Sequence, residues 1–125
     1  MIVGIGIDII QIHRIIESYN KFGDMFLKKI FTEKEIEYCS GFHSKFESYA
    51  GKFSVKEAFM KSIGAGIRQG VWFKDIEILN YESQKPYIKL YRKAEKYYKN
   101  MGSPMIHISI SHTDENAAAV VILEK

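Results

Sequence analysis

Residues 51–66 of the chain read GKFSVKEAFMKSIGAG, and they belong to the segment that decides the fold. Apolar side chains recur along this segment and just before it at helical spacing, which predicts one long helix. The motif SKFE, from Ser44 to Glu47, is predicted to open that helix as a capping box. Gly64 is a natural C-terminal cap because glycine accepts a positive φ. The segment therefore predicts the longest helix of the protein.

The segments on either side of this helix predict further strands and helices. MIVGIGID, at residues 1–8, is read as a buried strand whose glycines allow a close approach by another group. An amphipathic helix follows from Ile9 to a stop at Gly23, and TEKE, beginning at Thr32, is a second capping box. The remaining predicted elements are strands in VWFKDIEILN, PYIKLY, MIHISISH and AAAVVILE, and a short helix in RKAEKYYKN. Strands and helices do not alternate regularly, so we expect the α+β class.

Length and composition exclude several classes of protein. The 125 residues fit a single domain, 1–125, with one core. A formal net charge of +3 suits acidic or phosphorylated partners but is too small to indicate nucleic acid. The one cysteine, Cys39, excludes an internal disulfide and a cysteine-rich zinc site. Without a leader pattern or a membrane-spanning apolar run, the expected location is cytoplasmic.

Two carboxylates stand out as candidate ligands of a metal ion. Asp8 follows the apolar first strand, although an aspartate there also suits a helix N-cap. Glu57 lies on the long helix between Lys56 and Lys61, and its alternative is a solvated helix face. Magnesium takes one or two protein carboxylates and completes its shell with water and substrate phosphate oxygens. The combination suggests a site for a metal-bound diphosphate. Asp8 and Glu57 would hold the metal, Lys61 would contact a phosphate, and the GAG turn at residues 64–66 would leave room for the ligand.

His112, in the motif SISHT, is the third candidate. It ends an alternating strand, so it could contact phosphate, transfer a proton or make only a local hydrogen bond. His107 lies inside the same strand and is assigned a structural role. The chain has no Walker loop, GxGxxG fingerprint, HxxxH pair or GxSxG elbow.

Three blocks of the sequence resemble a known family. They are GIGIDIIQIHR at residues 4–14, GKFSVKEAFMKSIGAG at 51–66 and ISISHTDENAAAVVILE at 108–124. In order and spacing they resemble the holo-[acyl-carrier-protein] synthases, the small class of 4'-phosphopantetheinyl transferases. The resemblance implies an α+β fold with a mostly antiparallel sheet and one long helix. It also implies a homotrimer with active sites between subunits.

The implied activity is magnesium-dependent transfer of the 4'-phosphopantetheine arm. The arm moves from coenzyme A to a serine of apo acyl carrier protein, with release of 3',5'-ADP, in fatty acid biosynthesis. By the resemblance Asp8 and Glu57 are the magnesium ligands, and Glu57, Lys61 and His112 are the catalytic group. Residues implied in coenzyme A binding are Lys45, Lys52, Lys61, Gly66, Pro86, Ser111, His112 and Thr113.

The resemblance further implies that Arg14 and Lys21 dock an acidic carrier protein, although a solvated helix face is the alternative. The sequence also departs from the family pattern. Lys52 stands where arginine is common, so a bidentate phosphate contact is not implied there. Ala65 replaces a threonine, which removes a hydroxyl contact, and Asn116 stands where an aromatic residue is frequent.

Two other functions are compatible with parts of the sequence. One is a small basic module that binds a nucleotide or RNA without chemistry, which the pI of about 8.9 and the many tyrosines would suit. Dispersed basic residues and the absence of an RNA-binding motif count against it. The other is a transferase that serves a different carrier domain, as in larger two-lobed relatives, and the chain length disfavours it.

Overall fold

The computed structural model describes all residues from 1 to 125. Two short 3₁₀ turns, Ile67–Gln69 and Phe73–Asp75, lie between the fourth helix and the second strand. The strands are β1 (Ile2–Gln11), β2 (Ile76–Asn80), β3 (Pro86–Leu90), β4 (Met105–His112) and β5 (Asn116–Glu124). The helices are α1 (Ile12–Phe22), α2 (Asp24–Ile30), α3 (Glu33–Ser40), α4 (Lys45–Ile63) and α5 (Arg92–Asn100).

All strand pairs are antiparallel, which confirms the α+β expectation. β5 lies between β1 and β4 in a three-stranded sheet, and β2 and β3 form a separate hairpin. Helix α4 packs against the three-stranded sheet and separates two hydrophobic clusters, one beneath the sheet and hairpin and the other beneath α1 to α3. No helix combines the length and apolarity needed to cross a bilayer.

Two glycines bring β1 against the backbone of α4. A Cβ built at Gly6 would lie 1.8 Å from the carbonyl oxygen of Ala58, and one at Gly4 would lie 2.3 Å from that of Ser62. A larger residue at either position would push the strand and the helix apart. The predicted close approach is therefore confirmed, and α4 is what approaches. Because alternate strand residues share a face, Asp8 also points toward α4.

Strand β1 differs from its prediction in two ways. It continues to Gln11, which precedes α1 as its N-cap residue, so the alternative reading of Asp8 as a helix cap is wrong. It is also buried on one face only, because α4 packs against the face that carries Gly4, Gly6 and Asp8. Ile5, Ile7 and Ile9 on its other face are 63%, 67% and 69% exposed.

The two predicted capping boxes have different outcomes. In TEKE, the Thr32 N–H donates to Glu35 Oε1 at 2.8 Å, and the Glu35 N–H donates to Thr32 Oγ1 at 3.3 Å. Ser44 precedes α4 as predicted, but its side chain makes no capping hydrogen bond. Its φ of −93° and ψ of 49° depart from the extended backbone that aims an N-cap oxygen at the helix.

The predicted strand at residues 71–80 is half as long as expected. Only Ile76–Asn80 is strand, and the residues before it form the 3₁₀ turn Phe73–Asp75. The Asp75 side chain accepts a hydrogen bond from the Trp72 N–H at 3.1 Å, which closes this turn. A local side-chain contact has replaced strand pairing here.

Candidate active site

Asp8 on β1 and Glu57 on α4 line the same cavity of about 340 Å³. The Asp8 side chain is 15% exposed, and Glu57 is half-buried. Burial, followed by the negative charge of Asp8, raises the pKa of Glu57, while Lys61 opposes that shift. Two carboxylates that repel each other in a partly buried site form a place where a cation relieves the repulsion.

Lys61, one turn after Glu57, completes this cluster. Its Nζ donates to the carbonyl oxygen of Ile7 at 2.9 Å and lies 3.4 Å from Asp8 Oδ1. It makes no ion pair with Glu57, its i,i+4 neighbour. The side chain is 54% exposed, so the ammonium can also reach an anionic ligand.

A second cavity, of about 360 Å³, adjoins the first and shares Glu57 with it. It is lined by Lys61 and by the turn from Gly64 to Gln69. Gly64 ends α4 with a φ of 68°, in the left-handed region that favours glycine, as predicted. The Gly66 N–H donates to Gln69 Oε1 at 2.8 Å, so this amide is already occupied within the chain.

The donor set fits a magnesium ion of the kind expected from sequence. No group of three or more His, Cys, Asp or Glu side chains is placed to hold a metal. An ion held by Asp8 and Glu57 alone would keep open positions for water and phosphate oxygens, which is the habit of magnesium. Burial and the negative charge of Asp8 raise the pKa of Glu57. The positive charge of a bound ion would offset both effects and favour the ionised carboxylate.

The predicted coenzyme A residues Lys52, Pro86 and His112 line a different cavity, of about 530 Å³. His112 Nδ1 lies 3.7 Å from Glu47 Oε2, and the histidine side chain is 51% exposed. Lys52 is buried, which lowers its pKa, and its Nζ donates to Ile78 O at 2.7 Å and Asn80 Oδ1 at 2.8 Å. No residue lines both this cavity and the carboxylate cavity.

Three other predicted coenzyme A residues line neither of these cavities. Lys45 Nζ lies 5.2 Å from the ring centre of Phe46 and 5.3 Å from that of Tyr19. Ser111 is exposed on the sheet face opposite α4. Thr113 Oγ1 accepts hydrogen bonds from the backbone of the turn that leads into β5.

The two predicted docking residues lie on α1. Arg14 lines the cavity that holds Asp8 and Glu57, so a partner on this helix would stand beside the carboxylates. Lys21 lies near the end of α1, with Nζ 5.3 Å from the ring centre of Phe22. Phe22 is 54% exposed and Met25, just beyond it, 77%.

Lys56 and Glu35 were missed by sequence reasoning, and Lys56 does not lie on a solvated face. Both side chains are 0% exposed, and Lys56 Nζ lies 2.9 Å from Glu35 Oε1. A signal was present, because Lys52 and Lys56 interrupt the apolar stripe of α4 at helical spacing. A lysine inside such a stripe requires a buried partner.

Comparison with known proteins identifies the family of the chain. The family model described as the 4'-phosphopantetheinyl transferase superfamily matches residues 4–121. The chain belongs to this superfamily.

The relatives are more specific. Holo-[acyl-carrier-protein] synthase of Halothermothrix orenii is 42% identical over 125 residues, covering 100% of this chain and 99% of that protein. The crystal structure of the Neisseria meningitidis holo-[acyl-carrier-protein] synthase superposes with a TM-score of 0.90 at 34% identity, with 100% of both chains covered. The Bacillus anthracis synthase, solved in complex with CoA (3',5'-ADP), has a TM-score of 0.81 at 38% identity, covering 100% of this chain and 98% of that one.

Proposed function

We propose that the chain is a holo-[acyl-carrier-protein] synthase. It transfers the 4'-phosphopantetheine arm of coenzyme A to a serine of apo acyl carrier protein and releases 3',5'-ADP. The observation that carries this proposal is the Asp8, Glu57 and Lys61 cluster where β1 meets α4. Full-length similarity to synthases, including one solved with coenzyme A, supports it. We further propose a cytoplasmic enzyme that serves fatty acid biosynthesis.

Asp8 and Glu57 would hold a magnesium ion in this enzyme. When bound, the ion neutralises charge on the diphosphate and orients it for displacement. The carboxylates lie on a strand and a helix whose backbones touch through Gly6, so their relative position is set by rigid elements.

The side chains of the cluster have separate roles in the transfer. The serine oxygen attacks the phosphorus that bears the pantetheine arm, and the bond from that phosphorus to the bridging oxygen breaks. Glu57 is the first candidate to take the serine proton, because its carboxylate lines the cavity that the reacting diphosphate would enter. Lys61 supplies positive charge where the leaving phosphate becomes more negative. His112 contacts coenzyme A.

We also propose that the enzyme is a homotrimer with active sites between subunits. Two observations support this arrangement. The carboxylate cavity and the cavity of Lys52, Pro86 and His112 share no residue within one chain. In addition, the β1 and β5 part of the sheet face opposite α4 is apolar, and no other element of the chain packs on it, which is typical of an interface. Its apolar residues are Ile5, Ile7 and Ile9 of β1 and Val120 and Ile122 of β5.

The carrier protein is proposed to dock on α1. Arg14 lies beside the carboxylate cavity and Lys21 seven residues further along the same helix. An acidic partner would meet both cations while its serine reaches Glu57.

The decisive experiment is transfer in a purified system. Apo acyl carrier protein is incubated with coenzyme A, magnesium and this protein, and the carrier mass is measured. We expect a gain equal to one phosphopantetheine group, which a chelator abolishes. An unchanged carrier mass with magnesium present would contradict the proposed function.

The assembly is tested separately by light scattering after size-exclusion chromatography. Ile7→Glu places a charge on the apolar sheet face and should release monomers with little transfer activity. Trp72→Glu is the matched control, because Trp72 is 55% exposed and belongs to the connection between α4 and β2 rather than to the three-stranded sheet. A wild-type monomer, or a trimer that survives Ile7→Glu, would contradict the proposed interface.

A further inference from the structure

The free edge of β2 is occupied by side chains. β2 pairs only with β3, so the backbone groups on its other edge have no strand partner. Lys56 Nζ donates to Ile76 O at 2.6 Å, the Ile78 N–H donates to Glu35 Oε2 at 2.8 Å, and Lys52 Nζ donates to Ile78 O at 2.7 Å. Helices α3 and α4 are therefore hydrogen-bonded to β2 through charged side chains.

The spacing of the two lysines matches the spacing of the strand carbonyls. Lys52 and Lys56 are four residues apart on a helix that rises ~1.5 Å per residue, which separates them by ~6 Å. Ile76 and Ile78 are two residues apart on a strand that rises ~3.3 Å per residue, or about 6.6 Å. A shift of α4 along β2, or a rotation about its axis, would break both contacts at once.

Lys56 has no hydrogen-bonding capacity left over. Its ammonium donates to Glu35 Oε1 at 2.9 Å, Phe73 O at 2.9 Å and Ile76 O at 2.6 Å, which uses all three protons. Glu35 Oε1 also accepts the Thr32 N–H of the capping box. The hydrogen bonds of Lys56 and Glu35 thus join α3, α4, the 3₁₀ turn Phe73–Asp75 and β2 at one point.

Glu57 is the next residue on α4. The backbone contact at Gly6 holds β1 against one side of the helix, and Lys56 holds β2 and α3 on another side. The position of the Glu57 carboxylate relative to Asp8 depends on the rotation of α4 between these supports.

We propose that Lys56, paired with Glu35, is a positioning residue that sets the orientation of α4 and so places Glu57 opposite Asp8. This inference rests on the proposed transfer reaction and its metal site. Stability alone does not account for the ion pair, because buried ion pairs are often replaced by apolar residues without loss of stability. Three directional hydrogen bonds from one ammonium do account for a fixed helix rotation.

The test measures Mn²⁺ binding in the presence of saturating coenzyme A, by electron paramagnetic resonance, on folded protein. Lys56→Met should weaken Mn²⁺ binding by about 10-fold or more, as loss of an outer-shell support commonly does. Glu35→Gln retains an acceptor for the Ile78 N–H and should weaken binding by a smaller factor. In both variants kcat should fall while the KM for carrier protein stays unchanged.

Tyr91→Phe is the matched control. It removes the 2.8 Å hydrogen bond from Tyr91 to Glu77 in the same region without touching α4, and should leave Mn²⁺ binding unchanged. Wild-type Mn²⁺ affinity in both Lys56→Met and Glu35→Gln would overturn the inference. If Lys56→Met does not fold, Glu35→Gln decides the outcome against the same control. A wild-type protein that neither binds Mn²⁺ nor transfers would overturn the proposed function, and the inference with it.

Discussion

Two lysine–carboxylate contacts lie five residues apart on the same helix and differ in almost every property. Lys56 and Glu35 are 2.9 Å apart, and both side chains are 0% exposed. Lys61 and Asp8 are 3.4 Å apart, with side chains 54% and 15% exposed. The first pair is saturated by neighbouring backbone groups. The second is open to a ligand, so burial separates a structural contact from a candidate catalytic one.

The physical reason is the cost of removing a charge from water. A buried charge must be paired and fully hydrogen-bonded, which leaves it nothing with which to bind a substrate. A half-exposed lysine contributes little to stability, and it can exchange water for a phosphate oxygen.

Glu35→Ala should reduce the free energy of unfolding by ~3–5 kcal/mol, because it leaves the Lys56 ammonium buried without its counter-charge. Urea denaturation measures this. Glu95→Ala, which removes an exposed i,i+4 ion pair with Lys99, is the control and should cost less than about 1 kcal/mol. Equal losses of unfolding free energy in Glu35→Ala and Glu95→Ala would contradict the proposed difference between buried and exposed ion pairs.

Asp8→Asn and Glu57→Gln should leave the fold intact and reduce phosphopantetheine transfer by about 10²-fold or more, since a metal contributes several kcal/mol to the reaction. Initial rates at saturating magnesium measure the effect. Glu95→Gln, which changes an exposed carboxylate on α5, is the control and should retain activity. Wild-type rates in either active-site variant would disprove the metal assignment.

Lys61→Ala should change the free energy of unfolding by less than ~1 kcal/mol, as expected for a partly exposed pair. Its effect should appear as a higher KM for coenzyme A and a lower kcat. Steady-state kinetics with Lys99→Ala as control measures this. If both kinetic parameters match the wild type, the proposed phosphate contact is wrong.

The pKa of Glu57 in metal-free protein offers the finest test. Burial and Asp8 raise it, so Asp8→Asn should move it down, as ¹³C NMR titration with a chelator present would measure. A raised pKa means that ionised Glu57 disfavours the folded state. Glu57→Gln should therefore raise Tm at pH values above the folded-state pKa of Glu57. The gain in Tm should vanish at pH values below the unfolded-state pKa, ~4.3. A Tm gain at all pH values would contradict this explanation.

Signals carried by neighbouring residues were sufficient for much of the fold. The TEKE capping box, the glycine stop at Gly64 and the alternation in β4 were all predicted, because each depends on residues a few positions apart. The α+β class and the family resemblance also followed from the sequence. The second helix, Asp24–Ile30, carries no comparable signal in seven residues and was not predicted.

Errors arose where one sequence pattern is compatible with more than one backbone conformation or tertiary arrangement. Ser44 has the letters of a capping box without the backbone conformation. Residues 73–75 mix apolar and charged side chains, a pattern that also occurs in strands. The Asp75 side chain nevertheless closes a turn there. The apolar run of β1 predicted a buried strand, but whether a second layer covers each face of a sheet depends on tertiary packing, and α4 covers only one face here.

The sequence by itself determined the helices and strands with strong local signals, the family, and which carboxylates and lysines are candidates for the site. Only the tertiary structure decided which lysine is buried and which is open. Lys56 meets a glutamate 21 positions away, and Lys61 meets an aspartate 53 positions away. The free energy of each charge depends on water and on partners that the chain brings near only by folding.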